Sequence, residues 1–277
     1  MTRDTPQISR RTALQTVAGA ALVSGAGCLT SNENTTTGNG KSPADSQGVI
    51  QRVAVDGTAL VVDLSADADV DQINLIQPNG ELFGQRDVAA GAQQVSFDLG
   101  TSYTPGEYSV VALNGDETVV ERSKEIQPNI RIRDVGLYRN NPDKPWDEVY
   151  GDTETDRIKN GEAFVTVENT GSGPEVIVNL VFSGGVPNPI ENPRGSGMYE
   201  TEQVVVSPGE TADLFSNSFP FGSESEVGIG CTSDGNEGQF TVSVQTQVDG
   251  SQISKAYNVL YSGSNEMSDC EVTIEEA

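Results

Sequence analysis

The sequence predicts an all-β protein made of two tandem β-sandwiches. Of its 277 residues, 30 are Gly, 35% are hydrophobic and only 6% are aromatic, a composition that fits a turn-rich β protein. Short runs that alternate apolar and polar residues recur along the chain, with turn sequences between them. No stretch of 48–127 shows a convincing helical period, and 128–277 continues in the same style. These observations favour strands throughout the folded part of the chain.

The first sandwich is predicted over 48–127, where turn spacing indicates about seven short strands. Gln94–Leu99 alternates cleanly and predicts a half-buried strand. Asp56-Gly57 and Asn114-Gly115 are hairpin signals. The strand opening Pro105-Gly106-Glu107-Tyr108 resembles a late strand of extracellular immunoglobulin-like domains. That resemblance implies an immunoglobulin-like sandwich for this segment.

The second sandwich is predicted over 128–277, which continues the strand pattern with longer loops. The buried face of one strand is expected to carry Phe240, Val242, Val244 and Val248. The following Asp249-Gly250 predicts a two-residue turn.

Two turn motifs of this second segment carry a further resemblance. Val167-Glu168-Asn169-Thr170-Gly171 and Pro208-Gly209-Glu210-Thr211 are similar to the cell-adhesion-related domain of bacteria and archaea. That family is a surface β-sandwich without catalytic residues. The resemblance therefore implies binding or adhesion; the alternative is that any β-sandwich uses such turns.

The N-terminal residues 1–27 are predicted to be a signal peptide. Arg10 and Arg11 precede a weakly apolar run of about a dozen residues, shorter than the ~20 that a membrane-spanning helix needs. The paired arginines resemble the twin-arginine export motif, from which Ala13 and Gln15 depart. The resemblance implies export from the cytosol.

Cys28 lies where a lipoprotein signal has its modified cysteine, and Gly25-Ala26-Gly27-Cys28 resembles a lipobox that lacks its usual Leu. The resemblance implies a lipid anchor in the membrane; the alternative is an ordinary secretory signal with an incidental cysteine. Residues 28–47 are polar and predict a disordered tether. Within it, Asn34 begins a candidate glycosylation sequon.

The net charge of −25, from 41 acidic and 16 basic residues, excludes nucleic acid as a partner because a phosphate backbone would be repelled. The acids are dispersed along the chain, which resembles secreted proteins of extremely halophilic archaea. An acidic face that binds cations is the alternative. Because molar salt screens self-repulsion, we expect the fold to require it.

The chain contains no His, so it cannot build a Ser-His-Asp triad or a His-ligated zinc or copper centre. No cofactor and no metal site are predicted. Asp63, Asp67, Asp69 and Asp71 invite a calcium interpretation, but the EF-hand pattern is absent and solvated loop charge is the simpler explanation.

Cys231 and Cys270 remain as a pair if Cys28 carries lipid. An oxidising compartment favours a disulfide between them, which would pin the terminal strand. The alternatives are two free thiols or a metal pair.

The long segment from Tyr138 to Asn160 is the candidate ligand-binding loop. It contains the single Trp of the chain, Trp146, with Tyr150 close by, and aromatic rings beside carboxylates can bind a sugar. The alternative is that Trp146 plugs one end of the sandwich. Val186–Gly197 is a second Pro/Gly-rich loop with the same ambiguity.

The sequence therefore predicts a non-catalytic, lipid-anchored protein on the extracellular face of the cell membrane, presenting β-sandwiches for adhesion, scaffolding or ligand binding. Envelope proteins and glycans are the expected partners. An accessory carbohydrate- or solute-binding subunit of a surface enzyme or transport system is the first alternative. A hydrolase that uses paired carboxylates is the second.

Overall fold

The computed structural model of the chain describes residues 48–141, 160–223 and 228–277, which belong to one compact unit. The fold is all-β, with two tandem immunoglobulin-like sandwiches, and the predicted fold class is confirmed.

Several predicted features lie outside the described residues. They are the signal peptide and tether, with Arg10, Arg11, Cys28 and Asn34, and the loop residues Trp146 and Tyr150. These predictions stay predictions.

The first sandwich contains seven strands, the number that the turn spacing predicts. Three form one sheet in the order β1-β2-β5, four form the other in the order β4-β3-β6-β7, and all pairings are antiparallel. Buried side chains from both sheets make one hydrophobic core. The strands are β1 (Ile50–Asp56), β2 (Ala59–Leu64), β3 (Gln72–Ile76), β4 (Leu82–Asp87), β5 (Gln94–Asp98), β6 (Gly106–Asn114) and β7 (Glu117–Ile126).

The second sandwich pairs a three-stranded sheet, β12-β9-β8, with a five-stranded sheet, β11-β10-β13-β14-β15. A second core lies between them, separate from the first. The strands are β8 (Ile130–Leu137), β9 (Ala163–Asn169), β10 (Glu175–Gly184), β11 (Val204–Val206), β12 (Thr211–Phe215), β13 (Asn236–Thr246), β14 (Gln252–Ser262) and β15 (Glu271–Glu276).

The hairpin signals of the first sandwich form two-residue turns. Gly57 and Gly115 each have φ +58, in the left-handed region that Gly adopts without steric cost. The turn predicted at Asp249-Gly250 is wrong, because β13 and β14 are joined by a longer loop, 247–251. Val248 lies in this loop, not on the buried face of β13, since it packs against the core of the first sandwich.

The contacts of Tyr108 give a structural reason for the Pro-Gly-Glu-Tyr sequence at the start of β6. Its side chain is fully buried, and its hydroxyl donates a hydrogen bond to the carbonyl of Thr104 at 2.8 Å. Gly106 has φ +142, and a Cβ there would collide with the ring of Pro78. A Tyr early in a strand that bonds back to the upstream backbone is the tyrosine corner of immunoglobulin-like sandwiches.

At three places, a basic side chain of one sheet donates a hydrogen bond to a backbone carbonyl at the edge of the facing sheet. Arg86 of β4 donates to the carbonyl of Ser96 in β5 at 3.0 Å. Arg122 of β7 donates to Ile50 in β1 at 3.4 Å, and Lys255 of β14 donates to Ile132 in β8 at 3.5 Å. Each contact joins one sheet to an edge strand of the other, so carbonyls at the sheet edges are capped.

Candidate functional site at the junction of the two sandwiches

The segment between β9 and β10 (170–174), called the corner here, lies against the linker between the two sandwiches (127–129). One buried side-chain amide, that of Asn169, holds the corner and the linker together. Asn169 is fully buried, and its Nδ2 donates to the carbonyls of Gly173 at 2.8 Å and Val206 at 2.9 Å. Its Oδ1 accepts from the backbone amides of Asn129 at 3.1 Å and Gly171 at 2.9 Å. An Asn side chain has two donor hydrogens and two acceptor lone pairs, and here all are used. The Asn of the Val-x-Asn-Thr-Gly motif is therefore a structural requirement of this corner.

The residues after Asn169 hold the linker more directly. The hydroxyl of Ser172 donates to the carbonyl of Glu125 at 2.8 Å and accepts from the amide of Gln127 at 3.1 Å. A Cβ at Gly171 would collide with the backbone of 127–129, so only Gly lets the corner approach this closely.

The loop 247–251 reaches from the second sandwich to the first. Gln247 donates through Nε2 to the carbonyl of Thr101 at 2.9 Å, and Val248 packs against the first core. In the opposite direction, the buried hydroxyl of Tyr103 donates to the carbonyl of Pro174 at 3.0 Å. The sandwiches therefore contact each other away from the linker as well as along it.

Glu175 is a fully buried carboxylate beneath this loop. Its Oε1 accepts from the amides of Val176 and Val248, both at 2.8 Å, and its Oε2 accepts from the amide of Asp249 at 3.3 Å. A buried carboxylate needs such partners, because desolvation of an unpaired charge is costly.

The junction shifts the pKa values of its titratable groups. Burial raises the pKa of the Glu175 carboxyl, against the lowering effect of its backbone hydrogen bonds. Burial, with the charge of Glu175, raises the pKa of the Tyr103 hydroxyl, which stays neutral. Burial alone would raise the pKa of Asp249, but hydrogen bonds from Thr246 and Ser251 bring it below its ordinary value.

A shallow groove of about 590 Å³ lies at this junction. Its walls come from the linker and start of β8, from the corner after β9, and from the loop between β13 and β14. Hydroxyl, amide and backbone groups dominate the lining, with one carboxylate, so the surface offers hydrogen bonds to a polar ligand. The lining residues are Gln127, Pro128, Asn129, Ile130, Thr170, Gly171, Ser172, Asp249, Ser251 and Ile253.

A second groove of about 480 Å³ shares Ile130 and Ile253 with the first and continues between β8 and β14. Its charged groups are largely paired with each other or with their neighbours. Lys255 contacts Glu276 at 2.8 Å, and Arg133 forms an ion pair with Glu168. No aromatic side chain lines either groove within the described residues.

The predicted disulfide between Cys231 and Cys270 is present, with a Cα–Cα distance of 5.8 Å. Both cysteines are buried in the second core, beside Met267. The bond closes a loop of 39 residues and fixes the start of β15. The alternatives of free thiols or a metal pair do not apply to these two residues.

Two of the four aspartates considered for calcium, Asp63 and Asp71, have local structural partners. Asp63 accepts from the Gln94 side chain at 2.9 Å and lies 3.7 Å from Arg52, and Asp71 accepts from the Gly115 amide at 2.9 Å. Over 48–141, 160–223 and 228–277, no three Asp, Glu or Cys residues are grouped so as to hold a metal ion.

The candidate ligand-binding loop is firmly anchored where it leaves and rejoins the described structure. The amide of Tyr138 donates to the carbonyl of Glu162 at 2.9 Å, and the Tyr138 ring lies 4.7 Å from that of Phe215. Asn141 donates through Nδ2 to Asp213 at 2.8 Å. Because Trp146 and Tyr150 are outside the described residues, neither their sugar-binding role nor the plug interpretation is tested.

The second Pro/Gly-rich loop packs along β10. The amide of Leu180 donates to the carbonyl of Ser196 at 2.8 Å, and Asn188 donates through Nδ2 to the carbonyl of Phe219 at 2.9 Å. Met198, just beyond it, is buried in the core. These contacts favour a structural role for Val186–Gly197.

Comparisons with known proteins add little about function. No protein-family model and no curated protein matches the chain. A glycosyl hydrolase family 2 member from Bacteroides cellulosilyticus DSM 14838 is 15% identical over 73% of this chain and 24% of its own, with a TM-score of 0.20. This chain thus spans about a quarter of that enzyme. The human OSCAR ligand-binding domain is 10% identical over 81% of this chain and 92% of its own, with a TM-score of 0.21.

Within the described ranges, no helix is long and apolar enough to cross a membrane.

Sequence reasoning missed the central residues of the junction. Glu175 is one of 41 acidic residues, and Tyr103 lies in the connection between β5 and β6, so neither carries a local signal. The available hint was Val248, an apolar residue next to a turn in an otherwise polar loop.

Proposed function

We propose that this protein is a non-catalytic surface protein that is exported, anchored to the membrane by a lipid on Cys28, and displays its two sandwiches for binding. The observation that carries the binding role is the junction, where Glu175, Asn169 and Tyr103 hold the sandwiches together beside a polar groove. Such an arrangement presents a preorganised surface, which lowers the entropic cost of binding.

The Cys231–Cys270 disulfide supports export. Disulfides form and persist in oxidising compartments, which the chain would reach through its Arg10-Arg11 signal. The lipid on Cys28 and the tether would then hold the sandwiches at the outer face of the membrane.

The favoured ligand is a polyol such as an envelope glycan, or the polar surface of an envelope protein. The hydroxyl oxygens of Thr170, Ser172 and Ser251 and the carboxylate of Asp249 provide acceptors along the groove, because each of these hydroxyls already donates its proton within the protein. An accessory carbohydrate-binding subunit of a surface enzyme or transport system remains the second candidate, because the same lining suits a sugar.

The carboxylates of this junction do not favour a hydrolase. A glycosidase needs two carboxyl groups that both reach the substrate. Glu175 is fully buried and bound to three backbone amides, so it cannot face a ligand together with Asp249.

Fractionation of the producing cells tests the proposed location. Wild-type protein should stay with the membrane and be removed from intact cells by external protease. Cys28→Ala should be released into the medium, and Arg10→Lys with Arg11→Lys should accumulate inside with its leader attached. Retention of Cys28→Ala at the membrane would refute the lipid anchor.

A glycan and envelope-protein binding screen in molar salt tests the binding role. An Asp249→Asn variant should weaken any binding in the groove, whereas Glu237→Gln, exposed on β13, should not. Binding that Asp249→Asn leaves unchanged would show that the ligand lies elsewhere.

A further inference from the structure

The first sandwich contacts the second at two places that lie next to each other, Pro174 and the loop 247–251. Pro174, just before β10, accepts the hydroxyl of Tyr103 from the first sandwich. The loop 247–251 supplies Gln247 to Thr101, and Val248 to the first core. These two positions are far apart in the sequence but adjacent in the structure.

Glu175 is the group that ties these two positions together. It follows Pro174 directly, and its carboxylate accepts the amides of Val248 and Asp249, which follow Gln247. The ionisable groups that also face it are Tyr103, from the first sandwich, and Asp249. Gly173 leaves no space at this point, because a Cβ there would collide with the hydroxyl of Tyr103.

We infer that the two sandwiches form one rigid body, and that Glu175 is the positioning residue that fixes the loop 247–251 against the first sandwich. The groove of about 590 Å³ then keeps its shape, because this loop forms one of its walls, beside the walls formed by the linker and by the corner after β9. The inference does not depend on the proposed binding function or on lipid anchoring.

Amide hydrogen exchange at single residues tests the role of Glu175. Oε1 binds the amides of Val176 and Val248, while Oε2 binds only Asp249. Glu175→Gln keeps an acceptor at Oε1 but replaces Oε2 by a donor, so exchange should accelerate about tenfold at Asp249 and stay unchanged at Val248. Glu175→Ala should accelerate exchange at both amides, and Glu237→Gln at neither.

The distance distribution between two spin labels tests the rigid body. Labels at Thr118→Cys in the first sandwich and Thr273→Cys in the second occupy exposed strand positions. The wild-type background should give one narrow distribution in molar salt, and Glu175→Ala should broaden it.

Either of two results would overturn the inference: a broad distribution in the wild-type background, or unchanged exchange at Val248 and Asp249 in Glu175→Ala. If Glu175→Ala does not fold, the double variant Tyr103→Phe with Gln247→Ala replaces it. That variant removes two hydrogen bonds between the sandwiches but none of the hydrogen bonds that Glu175 accepts. A distribution as narrow as that of the wild type would then refute the role of these contacts.

Discussion

Asn169 shows how one buried amide can organise a junction. Its four hydrogen bonds reach backbone groups of the linker, the corner and β11, at distances from 2.8 to 3.1 Å. These partners belong to three separate segments that do not pair as strands at this point. The Asn169 side chain therefore supplies the hydrogen bonds that strand pairing would otherwise give to their backbone groups.

Asn169→Ala should therefore be strongly destabilising. The change leaves buried backbone donors and acceptors without partners, and we expect the free energy of unfolding to fall by about 3 kcal/mol. Urea unfolding at constant molar salt measures this. Asn258→Ala, at an exposed position of β14, is the control and should change stability by less than about 0.5 kcal/mol. A similarly small effect for Asn169→Ala would contradict the role assigned to this amide.

The raised pKa of Glu175 predicts how the stability of the fold depends on pH. Because burial raises its pKa, the folded chain holds this proton more tightly than the unfolded chain does. The stabilisation from this group is complete below the unfolded pKa and is lost as the pH rises through the folded pKa. As the pH rises above the unfolded pKa of about 4.3, the free energy of unfolding of the wild type should therefore fall relative to that of Glu175→Gln. Glu237→Gln should show no such trend, and parallel curves for all three proteins would contradict the prediction.

The strands and most turns could be predicted because their signals are local. Gly57 and Gly115 occupy left-handed turn positions that few other residues tolerate, and alternation in β5 identifies its buried face. The loop 247–251 was mispredicted because its conformation is decided by partners far away in sequence. Glu175 and Val248, for example, are 73 residues apart.

The basic residues at the sheet edges illustrate how an acidic chain uses its few cations. Arg86, Arg122 and Lys255 each cap a carbonyl of an edge strand, and Lys255 points into the gap between two sheets. Inward-pointing charges and capped edges discourage strand addition by another molecule. The register shift in β8 between Ile132 and Asp134 also discourages strand addition, because such an irregularity interrupts the regular row of backbone groups along the edge.

The disulfide should matter most for the last strand. Among the described strands, β15 is an edge strand that pairs with β14 alone, and Cys270 immediately precedes it. Replacing both cysteines, Cys231→Ala with Cys270→Ala, should lower the free energy of unfolding by roughly 4 kcal/mol for this loop length. Amides of β15 should also exchange faster than those of β13. Alkylation of the unreduced wild-type protein should label neither residue, and labelling of both would contradict the bridge.

At the scale of the whole molecule, we expect the net charge of −25 to make folding depend on salt concentration. The Debye length falls from about 10 Å in 0.1 M salt to about 3 Å in 1 M salt, so repulsion among dispersed carboxylates is strong only in dilute buffer. Dialysis to about 0.1 M salt should therefore abolish the β-sheet circular dichroism spectrum.

A variant with fewer charges provides the matched comparison. Glu237→Gln, Glu271→Gln and Glu275→Gln together neutralise three exposed acids of the five-stranded sheet and should lower the salt concentration needed for folding. A wild-type spectrum that is the same in dilute and molar salt would contradict the expectation.

The packing of Val248 against the first core limits how the gene for this protein can be recombined. The hydrophobic interior of residues 48–127 is completed by a side chain encoded more than a hundred positions downstream. Recombination that moved the first module alone into another gene would leave its interior partly uncovered. The two modules are thus expected to be inherited as a pair, despite their separate interiors.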